Sequence, residues 1–169
     1  MTAPIHSIWL MPNEADGVLL SGIVSGLSQR FGTPLFTPHL TVRGDSDHPL
    51  AELTAAIIQA AREVPAFAAA VSGIETSEAF FRSFYARFTI APPLAALKQM
   101  LDGQASEPFM PHVSLLYGAV AAGPKAEAAA EISKLLTGRP IRFDRLCVVT
   151  SGQDVPIDQW RIVATATLA

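Results

Sequence analysis

Residues 36–42 read Phe-Thr-Pro-His-Leu-Thr-Val, and residues 109–115 read Phe-Met-Pro-His-Val-Ser-Leu. Both segments have the form Phe-x-Pro-His-Φ-[Ser/Thr]-Φ, where Φ is an apolar residue. In a chain of this composition, the chance that two of the four histidines carry the last five positions of this pattern is below roughly one in ten thousand. The pattern therefore indicates an internal repeat with one histidine motif in each copy.

Each motif has the composition of a short β-strand, and strand geometry decides which of its side chains lie together. Side chains at positions i and i+2 of a strand point to the same face. His39 therefore shares a face with Thr41, and His112 shares one with Ser114, while the apolar residues between them face a core. If a pseudo-twofold axis relates the two copies, all four polar groups converge on one small site.

Two imidazoles and two hydroxyls suit phosphoester chemistry. Imidazoles that titrate near neutral pH can act as general base and general acid on opposite sides of a reacting centre. Hydroxyls can donate hydrogen bonds to the non-bridging oxygens of a tetrahedral anion. The set favours in-line attack of water on a phosphodiester and protonation of the departing alkoxide, and it requires neither a metal ion nor another cofactor.

The other two histidines lack this repeated context. His6 lies on the first predicted strand and could line the same groove, but we favour a structural role for it. His48 stands near Asp45 and Asp47, which could suggest a metal cluster. We favour a polar loop that leads into a helix at Pro49, because such a loop explains all three residues without a metal.

Outward from the motifs, hydrophobic periodicity predicts the order strand, helix, strand, helix, strand, strand, helix, strand, helix, strand, strand. Predicted strands cover 5–11, 36–43, two segments of 66–90 of which the second is 79–90, 110–117, 141–150 and 158–168, and predicted helices cover 14–31, 49–63, 92–103 and 124–136. Adjacent strand pairs favour antiparallel pairing, so the predicted fold class is α+β. No linker-like segment divides the chain, so residues 1–169 are expected to form a single domain.

Composition limits the partners that the chain can have. Its 169 residues include 12 Lys and Arg and 15 Asp and Glu, for a formal net charge of -3. No basic cluster of the kind that binds a long nucleic acid is present, and no apolar segment is long enough to span a membrane. Without a signal-peptide pattern and with one cysteine, Cys147, the chain is expected to be cytoplasmic. We also expect a monomer, and a small-molecule ligand rather than a long nucleic acid.

At these residues the chain resembles the 2H phosphoesterase superfamily, named for its paired His-x-[Ser/Thr]-x motifs, and within it the cyclic phosphodiesterase branch. The most specific block is Pro-His-Val-Ser-Leu-Leu-Tyr at residues 111–117. The matching segments run nearly end to end: 7–9, 38–42, Phe80 and Phe81, 110–117, Leu146, Thr150 and Trp160.

The resemblance implies a two-lobed, pseudo-symmetric fold with a central groove lined by both motifs. It implies metal-independent hydrolysis of a small cyclic phosphate nucleotide, either ADP-ribose 1″,2″-cyclic phosphate to the 1″-phosphate or a nucleoside 2′,3′-cyclic phosphate to the 2′-phosphate. Carried over to this chain, His39 and His112 would be catalytic, and Thr41 and Ser114 would hold the phosphate. We expect His112 to be the base and His39 the acid.

The resemblance also assigns Trp9, Phe81 and Tyr117 to the wall of the pocket or to a stacking surface for a base or sugar. For Trp9 and Phe81, a place in the core is an equal alternative. A regular strand would point Tyr117 away from Ser114, so only a bend before Gly118 would return it to the groove.

Two further alternatives stay open. The superfamily that the chain resembles includes enzymes that act on RNA ends with 2′–5′ linkages or terminal cyclic phosphates. The negative net charge of this chain, however, disfavours binding of a long RNA. The chain could also be a nucleotide sensor without turnover, which the four intact motif residues disfavour.

Arg82 could pair with a substrate phosphate, although an exposed arginine is the simpler interpretation.

Overall fold

A computed structural model describes residues 4–169, and the elements in this part of the chain follow the predicted order. The strands are β1 (His6–Pro12), β2 (Leu40–Ser46), β3 (Phe67–Thr76), β4 (Phe84–Phe88), β5 (His112–Leu116), β6 (Pro140–Thr150) and β7 (Arg161–Thr167). The helices are α1 (Glu14–Phe31), α2 (Leu50–Glu63), α3 (Pro92–Asp102) and α4 (Ala122–Leu136), and 3-10 turns lie at Phe80–Arg82 and Ile157–Gln159.

The described strands pair in the order β1-β2-β5-β4-β3-β6-β7, and each of these pairings is antiparallel. Strand β6 joins two halves of the sheet, because Pro140–Phe143 pairs with β3 and Phe143–Thr150 pairs with β1. One half is therefore β7-β6-β1-β2 and the other is β5-β4-β3. The α+β prediction with mainly antiparallel strands is confirmed.

The two halves also meet where β2 lies beside β5, and this contact relates the two histidine motifs. Leu40 is paired with Val113, and both side chains are completely buried. Continued by one residue in each direction, this antiparallel register aligns His39 with Ser114 and Thr41 with His112. The imidazole of each motif thus lies opposite the hydroxyl residue of the other.

The helices cover the face of the sheet that turns away from the motifs. Helix α1 packs on β1 and β5, α2 on β6 and β7, α3 on β2, and α4 on β3. A continuous cluster of buried apolar side chains lies beneath both halves, and it holds Leu40 and Val113 at the motif strands. The opposite face is left for polar side chains. That residues 1–169 form one domain stays a prediction.

Local sequence signals place the ends of α1. The Oδ1 atom of Asn13 accepts a hydrogen bond from the Asp16 N–H at 2.9 Å, which caps the first turn. Gly32 ends the helix at φ 67° and donates its N–H to the Ser28 carbonyl at 2.8 Å. Helix α3 begins at Pro92, as predicted from the paired prolines.

Several boundaries differ from the sequence prediction. The last strand, predicted from residue 158, starts at Arg161 because Ile157–Gln159 forms a 3-10 turn, and α4 starts at Ala122 rather than at Pro124. The predicted strand 79–90 is shorter, because Phe80–Arg82 forms a 3-10 turn and β4 starts at Phe84. The predicted strand 36–43 is shifted: β2 starts just after His39 and continues to Ser46, which is paired with His6 of β1. Pairing with β1 therefore overrides the polar, turn-like composition of residues 44–46.

Candidate active site

A cavity of about 570 Å³ lies on the polar face, and both histidine motifs line it. Its walls come from β1, β2, β5, the Phe80–Arg82 turn and the loop after β6. Every residue that the sequence placed in the site lines this cavity: His39, His112, Thr41, Ser114, Trp9, Phe81 and Tyr117. Their individual roles stay predictions.

The imidazole of His39 is held between a carbonyl and an aromatic ring. Its Nδ1 donates a hydrogen bond to the Thr37 carbonyl at 2.7 Å, because a carbonyl can only accept. The Trp9 ring stacks on the imidazole with ring centroids 3.4 Å apart and planes inclined by 7°. These contacts fix the ring plane of His39 and leave its Nε2 as the atom available for proton transfer.

His112 repeats this arrangement. Its Nδ1 donates to the Met110 carbonyl at 2.9 Å, again two residues earlier in the chain. The Tyr85 ring lies against the imidazole edge-on, with centroids 5.2 Å apart. Strand register makes Tyr85 the counterpart of Trp9, since Trp9 is paired with Thr41 and Tyr85 with Ser114.

Burial sets the protonation of both imidazoles. Desolvation lowers the pKa of His39 to about 4; the hydrogen bond to Thr37 opposes this shift, and the charge of His112 adds to it. Desolvation also lowers the pKa of His112, with Arg82 adding to the shift and the Met110 carbonyl opposing it. Both rings are therefore neutral at pH 7 in the free protein, each with a proton on Nδ1 and a lone pair on Nε2.

The two hydroxyl residues lie on the same face as the histidines of their motifs, as the two-residue spacing predicts. Ser114 is almost fully buried, and its Oγ donates to the Phe81 carbonyl over a long 3.5 Å contact. Thr41 is half-buried at the cavity wall. Neither hydroxyl is locked in a short hydrogen bond, so both can turn toward an anion placed between the histidines.

Tyr117 reaches the cavity because the chain bends just before Gly118, the bend that the sequence pattern required for Tyr117 to face the groove. Strand β5 ends at Leu116, and Gly118 has a φ of 143°. Tyr117 is 4% exposed and lines the cavity beside Ser114. Burial raises the pKa of its phenol beyond the range in which it titrates in solution, so Tyr117 stays a neutral hydrogen-bonding group.

The aromatic residues form a wall rather than isolated platforms. Trp9 is 4% exposed, so its ring is both a core residue and a cavity residue. Trp160 joins this wall, with its centroid 6.1 Å from Trp9, 6.1 Å from Phe81 and 5.9 Å from Tyr117. The sequence match included Trp160 but assigned it no place in the site.

Phe81 and Arg82 enter the cavity from the 3-10 turn and not from a strand. The buried Lys125 of α4 anchors this turn, since its Nζ donates to the Ser77 carbonyl at 2.7 Å and to Ser83 Oγ at 3.3 Å. Arg82 is exposed, as predicted, but it also lines the cavity. Its place in this turn, which the sequence pattern did not predict, brings it to the site.

A hydrogen-bonded chain of polar residues in the cavity was not predicted. Ser151 Oγ donates to Asp45 Oδ1 at 2.7 Å, and Ser7 Oγ lies 2.8 Å from Ser151 Oγ. Alternation from His39 through Thr41 would have suggested Asp45 on the same face. The sequence prediction ended the strand at residue 43, and so it left Asp45 in a loop.

The remaining histidines lie away from the cavity. His6 is buried on β1, does not line the cavity, and has no hydrogen-bond partner at Nδ1 among residues 4–169. His48 is exposed beside Glu52, with 3.9 Å between His48 Nε2 and Glu52 Oε2. Within residues 4–169, no three His, Cys, Asp or Glu side chains come together as a metal-binding group.

Comparisons with known proteins were made on the sequence and on the fold. The sequence model of the 2′-5′ RNA ligase superfamily matches residues 27–155. A protein of Arabidopsis thaliana named Cyclic phosphodiesterase is 26% identical over 172 residues, which cover 97% of this chain and 95% of that protein.

Solved structures with a similar fold agree with these matches. E. coli LigT in its apo form has a TM-score of 0.61 at 14% identity and covers 99% of both chains. TT0787 of Thermus thermophilus has a TM-score of 0.63 at 16% identity and covers 97% of both chains. At these identities the structures show a shared fold.

No helix in residues 4–169 is long and apolar enough to cross a membrane. The resemblance to 2H phosphoesterases, based on the paired motifs, is confirmed by the family match, which covers most of the chain. This protein therefore belongs to the 2′-5′ RNA ligase superfamily.

Proposed function

We propose that this protein hydrolyses a cyclic phosphodiester of a small nucleotide, without a metal ion, by acid–base catalysis from His39 and His112. The observation that carries the proposal is the matched geometry of the two motifs. Each imidazole donates Nδ1–H to a carbonyl two residues earlier, and both rings line one cavity with Thr41 and Ser114. The Nε2 lone pairs of His39 and His112 thus face a single reacting group.

The chemistry follows from this arrangement. The Nε2 atom of one histidine removes a proton from water as the water oxygen attacks phosphorus. The bond from phosphorus to the departing sugar oxygen breaks, and the second histidine gives its Nε2 proton to that oxygen. Thr41 and Ser114 donate hydrogen bonds to the non-bridging oxygens, whose charge grows in the transition state. One proton enters the pair at the base and one leaves it at the acid, so the total charge of the pair is unchanged. The base must then release its proton to solvent and the acid take one up before the next turnover.

The surroundings of His39 favour it as the acid, with His112 as the base. The Trp9 ring stacks on His39, and an aromatic face attracts a cation, so the stack stabilises the imidazolium form. Burial opposes that charge in the free protein. A bound phosphate anion compensates by placing a negative charge beside the ring. His39 therefore acquires the proton that it must donate when the substrate is present.

The size of the cavity favours a nucleotide. A volume of about 570 Å³ lies in the range of sites for small organic ligands. The aromatic wall of Trp9, Phe81 and Trp160 offers stacking surface for a base. ADP-ribose 1″,2″-cyclic phosphate and nucleoside 2′,3′-cyclic phosphates are the substrates we propose. The Arabidopsis thaliana relative named Cyclic phosphodiesterase supports this class.

A second candidate is the end of a short RNA that carries a terminal cyclic phosphate or a 2′–5′ linkage. A neighbouring depression of about 470 Å³ shares five lining residues with the main cavity: Thr41, Gly44, Asp45, Arg82 and His112. It continues past His112 toward Lys98 and Phe109, which gives room for one more nucleotide. The name of the superfamily supports this candidate.

The test is turnover of a panel of cyclic phosphates with and without EDTA. The panel holds the four nucleoside 2′,3′-cyclic phosphates and ADP-ribose 1″,2″-cyclic phosphate. His39→Ala and His112→Ala should each lower kcat by about a hundredfold to ten-thousandfold, the usual contribution of one proton transfer. The control is His48→Ala, an exposed histidine outside the cavity, which should keep wild-type turnover.

The outcomes separate the alternatives. Nucleotide binding without turnover of any substrate would make the protein a sensor and not an enzyme. Loss of activity in EDTA, restored by a divalent ion, would contradict the metal-free mechanism. Near-normal turnover by either histidine variant on every substrate would contradict the paired-imidazole mechanism.

A further inference from the structure

The cavity contains a polar corner that the proposed mechanism does not use. It is formed by Asp45 on β2, Ser151 after β6 and Ser7 on β1, which come from three distant parts of the chain. Building on the proposed function, we propose that Asp45, held by Ser151 and Ser7, selects the substrate by accepting a hydrogen bond from an N–H or O–H group of its nucleoside part. The corner is called the acceptor corner below.

The direction of the hydrogen bonds can be derived. The Ser151 hydroxyl has one proton, and it is donated to Asp45 Oδ1 at 2.7 Å. In the 2.8 Å contact between Ser7 Oγ and Ser151 Oγ, Ser7 must therefore be the donor. Both serine hydroxyl protons therefore point along this series of hydrogen bonds toward the Asp45 carboxylate. The acceptor corner thus offers the cavity oxygen lone pairs and a negative charge, and no side-chain donor.

The corner is held in place by its surroundings. Ser7 is 2% exposed and Ser151 is 3% exposed, so neither hydroxyl is free to turn to bulk water. The Ser151 N–H donates to the Ile5 carbonyl at 3.0 Å. The Trp160 Nε1–H reaches the carbonyls of Gly152 and Val155, each at 3.2 Å, and so ties down the loop that follows Ser151. Asp45 itself is exposed, but the Ser151 hydroxyl holds its Oδ1, so this acceptor is positioned before a ligand binds.

The acceptor corner makes the cavity electrically asymmetric. Thr41, Ser114 and Arg82 supply donors or positive charge where the histidines face the cavity. A phosphate is attracted there and repelled from Asp45. A group that carries a proton, such as a base amine or a sugar hydroxyl, is preferred at Asp45 instead. This polarity orients a nucleotide with its cyclic phosphate between the histidines and a donor of its nucleoside at the acceptor corner.

Adenosine 2′,3′-cyclic phosphate makes the inference testable, because it has only two donor groups, the exocyclic amine and the 5′-hydroxyl. The experiment compares KM for this substrate and the inhibition constant of inorganic phosphate in wild type, Asp45→Asn and Asp47→Asn. Asp47 is an exposed acid two residues further along and does not line the cavity, so its variant removes the same charge as a control.

The Asp45→Asn side chain keeps an oxygen that accepts the Ser151 hydrogen bond, but its amide nitrogen is a donor. This nitrogen would face the donor group of the substrate and could not accept its hydrogen bond. We expect KM for adenosine 2′,3′-cyclic phosphate, divided by the inhibition constant of phosphate, to rise about tenfold to a hundredfold, as for the loss of a hydrogen bond to a charged group. This ratio cancels the general effect of the lost charge on anion binding. Asp47→Asn should leave the ratio unchanged.

Two substrate analogues identify the donor. Purine riboside 2′,3′-cyclic phosphate lacks the amine, and 5′-deoxyadenosine 2′,3′-cyclic phosphate lacks the hydroxyl. The penalty of Asp45→Asn should disappear with one of them, and that analogue names the partner of Asp45. A penalty that persists with both, or an Asp45→Asn ratio equal to that of Asp47→Asn, overturns the inference while hydrolysis itself stands. A wild-type protein that hydrolyses no cyclic phosphate overturns both the inference and the proposed function.

Discussion

At the scale of single residues, the two imidazoles combine a fixed tautomer with a lowered pKa. The carbonyls of Thr37 and Met110 hold the proton on Nδ1, and burial disfavours a second proton on Nε2. Acid–base catalysis needs one histidine protonated and the other neutral. Because the pKa of His39 is lowered further than that of His112, a single proton on the free pair resides mostly on His112. The form with His39 protonated and His112 neutral is therefore a minor one, and its fraction is greatest at a pH between the two pKa values.

The first prediction concerns the pH dependence of turnover. Because kcat/KM reports the free protein, it should follow a bell whose maximum lies between about 4, the pKa of His39, and the lowered pKa of His112 below 6.5. A bound phosphate anion favours both protonated rings, so the maximum of kcat should lie at higher pH. Initial rates on a cyclic phosphate from pH 3.5 to 9 check this, and a kcat/KM maximum at pH 7 or above would contradict it.

The second prediction concerns acid stability. The pKa of His39 lies below its unfolded value, so the unfolded chain binds more protons between pH 6.5 and 4, and the free energy of unfolding falls as the pH drops through this window. The loss from His39 is roughly 3 kcal/mol, and His112 acts in the same direction. Urea denaturation at pH 7 and pH 4 measures it.

A variant separates this effect from general acid sensitivity. His39→Gln removes the titrating group, so the fall in stability over this window should be smaller than in wild type. His48→Gln, at an exposed position, should keep the dependence of wild type. Equal slopes for wild type and His39→Gln would contradict the assignment.

At the scale of elements, the bend at the end of β5 shapes the cavity. Gly118 follows Tyr117 with a φ of 143°, a conformation that a side chain rarely allows. Its N–H donates to the Phe80 carbonyl at 3.0 Å and so joins β5 to the 3-10 turn. One residue thereby turns the tyrosine into the cavity and positions the neighbouring turn.

The third prediction tests this bend. Gly118→Ala should lower the free energy of unfolding by about 1–3 kcal/mol, the usual cost of such a backbone conformation for a residue with a side chain. A Cβ at this position would also lie 3.2 Å from Thr33 Cγ2. Gly44, which follows the other motif, has no positive φ and open space around it, so Gly44→Ala should change stability little. Equal stability of both variants, measured by urea denaturation, would show that the bend tolerates a side chain.

At the scale of the whole molecule, charge separates the two candidate substrate classes. The net charge is -3, and among the described residues that line the main cavity Arg82 is the one Lys or Arg and Asp45 the one Asp or Glu. Binding of single-stranded nucleic acid loses affinity with salt in proportion to the number of phosphates neutralised. The further cations of the neighbouring depression, Arg43 and Lys98, are both paired with Asp102, so little charge is left to neutralise phosphates beyond the one acted upon.

The fourth prediction follows from this charge distribution. The slope of log affinity against log salt should be the same for a mononucleotide 2′-phosphate and for a trinucleotide that ends in one. A cation contact to each extra phosphate would steepen the slope by about 0.7. Titrations of both ligands with His112→Ala, in which turnover is blocked, check this from 50 to 300 mM salt. A clearly steeper slope for the trinucleotide would favour the RNA-end candidate.

The sequence by itself was enough for the order of the elements and for the pairing of each histidine with its hydroxyl. Both follow from short-range rules: apolar periodicity sets the element type, and the two-residue repeat of a strand sets the shared face of His39 and Thr41. Local rules of the same kind predict that Asn13 caps the first turn of α1 and that Gly32 ends the helix, as the structure shows. These features depend on residues only a few positions apart in the chain, so the local sequence pattern is enough to predict them.

Only the tertiary structure decided which distant residues share the cavity. Ser151 meets Asp45 across 106 positions of the chain, and Ser7 meets Ser151 across 144. Tyr85 faces His112 because β4 pairs with β5, and the Trp9 stack on His39 needs β1 beside β2. Strand order and register shifts arise from packing the whole sheet, so local composition could not contain them.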